Sequence, residues 1–274
     1  MLRRLLLTTI AAVAVGCAAP TEADDASGDE TTSEGALSGW ATVGTGVSYT
    51  RAGTGEGVLV LYGGYTAQLG WVQGWASALH SSKLQSLGVG HVYAVQGPRD
   101  AGYGGREIAN TKLGAHLRAN APNATFVLVA AHSSGTYVAQ ELIGQIARSG
   151  DAATMLGKMV YANLDGGYGL EAATARQMRK AVFVWGEDPR AGQSSNAEVM
   201  KQLGGQYGAK GKTVRVDASG SGCNRSAKWC LHDTVITSRP HNPAMYDLAN
   251  DYVKFAGDRK VVTSWIDAVE GDLR

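Results

Sequence analysis

Ser133 is the residue whose surroundings point most directly to chemistry. It lies in the segment Ala131-His132-Ser133-Ser134-Gly135, which follows an apolar run and precedes a stretch with helical spacing. A serine hydroxyl is a weak nucleophile and attacks a carbonyl carbon only when a neighbouring base removes its proton. Small residues two positions before and after Ser133 allow a sharp strand-to-helix turn that would raise the hydroxyl above a sheet. The segment therefore predicts a serine nucleophile.

The same segment resembles the nucleophile elbow of the α/β-hydrolase family, in which a serine occupies a strained turn between a strand and a helix. The family usually has Gly where Ala131 stands, and Ala is small enough for the turn. The resemblance implies a serine hydrolase whose acid and histidine follow the nucleophile in that order along the chain. A structural turn without chemistry is the alternative for the segment taken alone.

Two histidines follow late enough to be the base that this resemblance implies. His232 lies beyond the last apolar run and two residues after Cys230. A disulfide between Cys230 and Cys223 would stiffen the loop that carries it, as a positioned base requires. His241 stands instead at the predicted start of the final helix. We expect His232 to be the base.

Two aspartates are candidates for the acid of the triad. Asp188, in Gly186-Glu187-Asp188-Pro189, resembles the Trp-Gly-x-x-Asp acid loop of the family but is one residue short. Asp165 ends the preceding apolar run, where some lipases carry the acid. Either aspartate is also a common turn residue. The sequence slightly favours Asp188 over Asp165, and Glu187 is a third candidate.

Two backbone N–H groups are expected to stabilise the tetrahedral oxyanion. One belongs to Ser134, directly after the nucleophile, and the other to Gly64. Gly64 lies in Tyr62-Gly63-Gly64-Tyr65, which resembles the His-Gly-x segment of lipases and esterases with Tyr62 in place of His. Tyr65, and Tyr103 in a later glycine-rich loop, are candidate substrate contacts. A solvated loop is the alternative for Tyr103.

These residues predict a carboxylic-ester hydrolase that works through a Ser-His-Asp triad and an acyl-enzyme, on a small-molecule ester or acyl substrate. No cofactor and no metal is expected. An amidase, a peptidase or an acyltransferase would use the same triad. Outside the enzymes, the alternative is a surface lipoprotein that only binds.

Short apolar runs alternate with longer amphipathic stretches over residues 40–274. The runs are Gly57–Tyr62, His91–Val95, Thr125–Ala130, Lys158–Asn163, Lys180–Trp185 and Thr213–Val216, and the helical stretches are Gln73–His80, Gly105–Asn120, Tyr137–Ser149, Glu171–Arg179, Ser195–Leu203 and Pro243–Phe255. This alternation predicts one α/β domain with a mostly parallel sheet and helices on both faces. Trp40–Arg51 predicts an edge hairpin. Only Leu164–Arg179 separates the fourth and fifth runs, which leaves no room for a large cap domain.

Residues 1–16 predict a signal peptide, because two arginines precede the apolar stretch Leu5–Val15, which is too short to span a bilayer. The run Ala14-Val15-Gly16-Cys17 resembles the lipobox of bacterial lipoproteins, which implies a lipid on Cys17 and anchoring to a membrane of the cell envelope. An ordinary secretory signal is the alternative, and either reading gives an exported protein.

Residues 17–39 follow as an acidic segment without aromatic residues, which predicts a disordered tether. The chain holds 25 basic and 24 acidic residues; residues 1–39 contain two and six of these, which leaves 23 and 18 and a net charge of +5. No dense basic block accompanies this charge, so nucleic acid is not an expected partner. In an exported protein, Cys223 and Cys230 are expected to form a disulfide.

Overall fold

Within residues 37–99, 106–223, 228–240 and 260–274, which the computed structural model describes, nine strands form one sheet. All of these residues belong to one unit, Glu34–Arg274. The predicted signal peptide, Cys17, Tyr103, His241 and the predicted helix Pro243–Phe255 lie outside the described residues.

The strands follow the apolar runs of the sequence. They are β1 Ala41–Gly44, β2 Val47–Arg51, β3 Gly57–Tyr62, β4 Val89–Val95, β5 Val127–His132, β6 Met159–Leu164, β7 Lys180–Asp188, β8 Gln193–Ser194 and β9 Gly211–Asp217. The strand β3 has the bounds predicted for it, and the others extend or shift by a few residues. Strands β3, β4, β5 and β6 are buried at every position, as expected when helices cover both faces.

The sheet has the order β1-β2-β4-β3-β5-β6-β7, with β9 parallel to β7. The first two strands form the predicted edge hairpin, and β2 pairs antiparallel with β4. Strands β3 to β7 pair in parallel, so their carboxyl ends meet at one edge of the sheet. The short β8 pairs antiparallel with the end of β7.

In the described parts of the chain, the helices are α1 Leu69–Ser82, α2 Arg106–Asn120, α3 Gly135–Ala147, α4 Ala152–Gly157, α5 Ala172–Gln177, α6 Ala197–Gln206, α7 Lys228–Asp233, α8 Ser264–Asp267 and α9 Glu270–Leu273, with 3-10 turns at Leu84–Leu87 and Gly208–Lys210. The segment between β6 and β7 contains only the six-residue α5. No cap domain is inserted there, as predicted.

Alternate residues of each central strand face two separate apolar layers. In β3, Val58 and Val60 pack with residues of α2 and α3. Leu59, between them, packs with residues of α1 and α8 on the opposite face. The mostly parallel sheet, the helices on both faces and the strand order give the α/β-hydrolase fold predicted from the sequence.

Candidate active site

Ser133 occupies a left-handed turn at the carboxyl end of β5. Its φ is +52°, a conformation that costs a residue with a Cβ atom about 1–2 kcal/mol. Hydrogen bonds hold the turn: the Ser133 N–H donates to the Leu164 carbonyl at 3.1 Å, and the Thr136 Oγ1–H donates to the Ser133 carbonyl at 2.7 Å. The sequence therefore builds the strained elbow that its small residues predict.

Close packing around the turn explains the glycine two residues after the serine. A Cβ atom on Gly135 would lie 2.4 Å from the carbonyl oxygen of Gly63, in the loop after β3. A Cβ atom on Gly166, in the loop after β6, would lie 2.6 Å from the carbonyl oxygen of Ser133. The elbow is thus pressed against the loops that follow both neighbouring strands.

Asp165 and His232 meet beside this elbow. The Nδ1 atom of His232 lies 2.5 Å from Oδ2 of Asp165, and both residues are buried. A carboxylate only accepts hydrogen bonds, so Nδ1 carries the proton and donates it. Asp165 follows β6, whose last residue, Leu164, accepts the hydrogen bond from Ser133. Ser133 and Asp165 therefore lie at the carboxyl ends of two adjacent strands, and His232 contacts the second of them.

Asn196 fixes the orientation of Asp165. Asp165 has a left-handed backbone, with φ +58°, and is 1% exposed. The Asn196 backbone N–H donates to Oδ1 at 3.2 Å, and its side-chain amide donates to Oδ2 at 3.3 Å and to the Asp165 carbonyl at 3.1 Å. Sequence reasoning missed Asn196, because nothing in its local pattern distinguishes it from any other residue before a helix.

His232 lies on α7, which the disulfide between Cys223 and Cys230 joins to the preceding segment. The pairing is the one that the sequence predicts. Cys230 is fully buried two residues before His232. The crosslink therefore restrains the short helix that carries the histidine.

His132, directly before the nucleophile, packs against the His232 ring with a centroid separation of 4.6 Å and an interplanar angle of 37°. Burial holds the pKa of His132 well below its ordinary value, and the charge that His232 can carry lowers it further. His132, His232 and Asp233 hold potential metal-ligand atoms within 4.8 Å of one another. The Nε2 atom of His132 faces oxygen atoms of the other two residues, which calls for an N–H donor there and not for a metal-binding lone pair.

The other carboxylate candidates have different partners. Oδ1 of Asp188 accepts hydrogen bonds from the backbone N–H groups of Arg190 and Ala191, at 3.0 and 3.3 Å, and closes its own turn. Glu187 accepts the Trp185 indole N–H at 3.1 Å. The structure thus brings Asp165, and neither of these residues, to His232.

The loop after β3 carries Gly64 and Tyr65, whereas Ser134 follows β5. Gly64 accepts a hydrogen bond from the Ala67 N–H at 3.1 Å, and Ser134 directly precedes α3 at the end that presents backbone N–H groups. Tyr65 is 51% exposed on this loop. Tyr62 is buried and donates its hydroxyl proton to Asn110 at 2.9 Å, which makes it a core residue.

Among the residues that the structure describes, no helix combines the length and the apolar character needed to cross a membrane.

The sequence matches no protein-family model and no curated protein. Solved structures overlap with it in part. A bifunctional GH43-CE protein of Bacteroides eggerthii is 13% identical with a TM-score of 0.40, and the overlap covers 62% of this chain and 32% of the other. This chain therefore spans about a third of that protein.

Two further structures overlap over most of their own length. A dienelactone hydrolase-like promiscuous phosphotriesterase from metagenomic libraries is 11% identical with a TM-score of 0.45, over 83% of this chain and 90% of the other. An alpha-beta serine hydrolase homologue from Coxiella burnetii is 12% identical with a TM-score of 0.40, over 70% and 90%. The strand order and the elbow at Ser133 carry the assignment of this chain to the α/β-hydrolase fold.

Proposed function

We propose that this protein is a serine hydrolase, a carboxylic-ester hydrolase of the esterase or lipase type, with Ser133, His232 and Asp165 as its triad. The observation that carries the proposal is the 2.5 Å contact between Nδ1 of His232 and Oδ2 of Asp165, beside a serine held in a left-handed turn. A nucleophile, a base and a carboxylate that orients the base are the three parts that acyl transfer needs.

In the proposed mechanism, Nε2 of His232 takes the proton from the Ser133 hydroxyl as Oγ attacks the ester carbonyl carbon. The tetrahedral oxyanion receives hydrogen bonds from the backbone N–H groups of Ser134 and Gly64. The C–O bond to the leaving alkoxide then breaks, and His232 returns its proton to that oxygen. A water molecule, deprotonated by His232, attacks the acyl-enzyme and releases the acid and the free serine.

The burial of Asp165 supports its proposed role. Its carboxylate is 1% exposed and is held by Asn196. A negative charge in a poorly solvated site interacts more strongly with a neighbouring cation than it would in water. Asp165 would therefore fix the tautomer of His232 and stabilise the imidazolium that forms in each half-reaction.

Reaction with a fluorophosphonate probe tests the nucleophile. The folded wild-type protein should be labelled, and Ser133→Ala should abolish the labelling. Ser134→Ala is the matched control, because it removes the adjacent hydroxyl but keeps the backbone N–H. Circular dichroism checks that each variant folds. A folded wild-type protein that is not labelled, or labelling that persists in Ser133→Ala, would contradict the proposal.

Hydrolysis of esters with short and long acyl chains, with the matching amides, tests the ester specificity. We expect turnover of esters to exceed that of amides, because the alkoxide is the better leaving group and needs less help from His232. Amide turnover equal to or above ester turnover would replace the esterase assignment with an amidase.

We also propose that the protein is exported and anchored through a lipid on Cys17. The proposal rests on the sequence of residues 1–17 alone. Mass spectrometry of the protein made in a bacterial host should find diacylglycerol on Cys17 as the first residue. A free, unmodified N-terminus would contradict the anchor.

A further inference from the structure

We propose that His132 is a positioning residue for the base: together with Asp233 it ties residues 232 and 233 to the strand that carries the nucleophile. This inference rests on the proposed triad, because the two residues are proposed to position its base, His232. Neither residue is itself a member of the triad. It concerns a buried imidazole and a buried carboxylate directly adjacent in sequence to Ser133 and His232.

Three contacts join His132 to residues 232 and 233. Its ring packs on the His232 imidazole at a centroid distance of 4.6 Å. Its Nε2 atom lies 3.4 Å from the backbone carbonyl oxygen of His232 and 3.5 Å from Oδ1 of Asp233. One side chain thus contacts the ring of the base, the backbone of the base and the carboxylate of the next residue.

The atoms around Nε2 define the state of the His132 ring. A backbone carbonyl and a carboxylate both accept hydrogen bonds, so Nε2 carries a proton that the two oxygens share. Among the residues that the structure describes, His232 and Asp233 face the ring, and the Trp75 ring lies nearly perpendicular to it at a centroid distance of 6.4 Å. Burial keeps the pKa of His132 well below its ordinary value, so the ring is neutral near pH 7.

A neutral ring is the suitable neighbour for a base that becomes a cation. A charged His132 at this distance would repel the imidazolium of His232 during proton transfer. The Asp233 carboxylate, 2% exposed, instead places negative charge near the same site. The arrangement holds the base without disfavouring its protonated form.

The position of His132 next to Ser133 in the chain lets its contacts with His232 and Asp233 control the placement of the base. His132 is the last residue of β5, is 1% exposed and is followed directly by Ser133. Because His132 and Ser133 are consecutive residues, the contacts of His132 with His232 restrain the distance between the nucleophile and the base. Misplacement of reacting groups by about 1 Å can lower a rate by about 100-fold, so this restraint should matter for turnover.

The test compares two variants of the full chain. His132→Phe keeps a ring against His232 but removes the N–H, and His132→Gln restores an N–H near the position of Nε2. We expect His132→Phe to lower kcat on an ester substrate by about 10- to 100-fold, because a displaced base no longer meets the nucleophile in the reactive geometry, with little change in KM. The rate of fluorophosphonate labelling should fall in parallel, and His132→Gln should recover most of both. A purely structural role would lower the melting temperature and leave kcat per labelled molecule unchanged.

Asp233→Asn provides a second, independent readout. It removes the negative charge while keeping the shape of the side chain. We expect a lower kcat, and the acid limb of the kcat/KM profile should move to lower pH, because the imidazolium of the base loses a favourable neighbour.

The outcomes separate this inference from the proposed function. Absence of labelling in the folded wild-type protein would overturn both. Labelling of the wild type, together with wild-type kcat in His132→Phe, would overturn the positioning role alone. If His132→Phe does not fold, wild-type kcat and an unshifted pH profile in Asp233→Asn would overturn it.

Discussion

The backbone N–H of Ser133 donates a hydrogen bond to the carbonyl of Leu164, the residue before Asp165, at 3.1 Å. This bond joins two left-handed turns, since φ is +52° at Ser133 and +58° at Asp165. Strained residues of this kind persist where the surrounding structure holds them, and they cluster at functional sites. Here they place the backbones of Ser133 and Asp165 next to each other at the carboxyl edge of the sheet.

Asp165→Asn should lower kcat by about 10³- to 10⁴-fold, because an amide no longer holds the tautomer of His232 that leaves Nε2 able to accept a proton. Asp188→Asn is the matched control, since its oxygen can still accept the hydrogen bonds of Arg190 and Ala191. It should leave kcat near the wild-type value. Steady-state kinetics on an ester substrate measures both effects. A large loss in Asp188→Asn with an active Asp165→Asn would reverse the assignment of the acid.

The sequence does not decide which of these two aspartates is the acid, and the reason is physical. Each follows an apolar run, so the sequence places both at the carboxyl edge of the sheet, where the site lies. Which one meets His232 depends on how the chain after β9 returns across that edge, and no local pattern records this. Asn196 is missed for the same reason, because its partner Asp165 is 31 residues away along the chain.

The central strands, and the turn that follows β5, can be predicted from the sequence because every residue of these strands is buried. Every residue of β3 and β5 is buried, which gives the uninterrupted apolar runs that mark them. By contrast, α7 has only six residues, too few for a helical period to appear. The sequence therefore does not predict the helix that carries the proposed base.

Gly135→Ala should lower the free energy of unfolding by about 1–3 kcal/mol, because its Cβ atom would meet the Gly63 backbone at 2.4 Å and force the elbow to shift. Gly144→Ala, in the same helix, is the control. Its Cβ atom would meet only the mobile end of Arg148, at 3.2 Å, so it should raise the stability by about 0.5–1 kcal/mol. Urea denaturation measures both. Equal effects of the two substitutions would contradict the close packing at the elbow.

The stability of the protein should depend on pH through His132. Its folded-state pKa lies well below its ordinary value of 6.5, so below pH 6.5 the unfolded chain binds a proton that the folded protein excludes. This contribution is present in full above pH 6.5 and is lost as the pH falls toward the folded-state pKa. Between pH 7.5 and pH 5.5, the wild type should therefore lose more of its free energy of unfolding than His132→Gln, by a difference on the order of 1 kcal/mol.

Burial also lowers the pKa values of His91 and His116, but both proteins retain these residues, so their contributions should largely cancel in the comparison. Chemical denaturation at the two pH values gives the measurement. A parallel loss in the wild type and in His132→Gln would show that His132 is protonated in the folded protein.

Reduction of the disulfide between Cys223 and Cys230 should weaken both the fold and the proposed site. A crosslink that closes a loop of this length lowers the conformational entropy of the unfolded chain and so adds about 2–3 kcal/mol to the free energy of unfolding. Reduction with dithiothreitol should remove this contribution. Because Cys230 shares α7 with His232, we also expect slower fluorophosphonate labelling of Ser133 in the reduced protein. The double variant Cys223→Ala/Cys230→Ala is the control, and dithiothreitol should not affect it further. An unchanged labelling rate in the folded, reduced protein would mean that contacts of His232 with Asp165 and His132 hold the base without the crosslink.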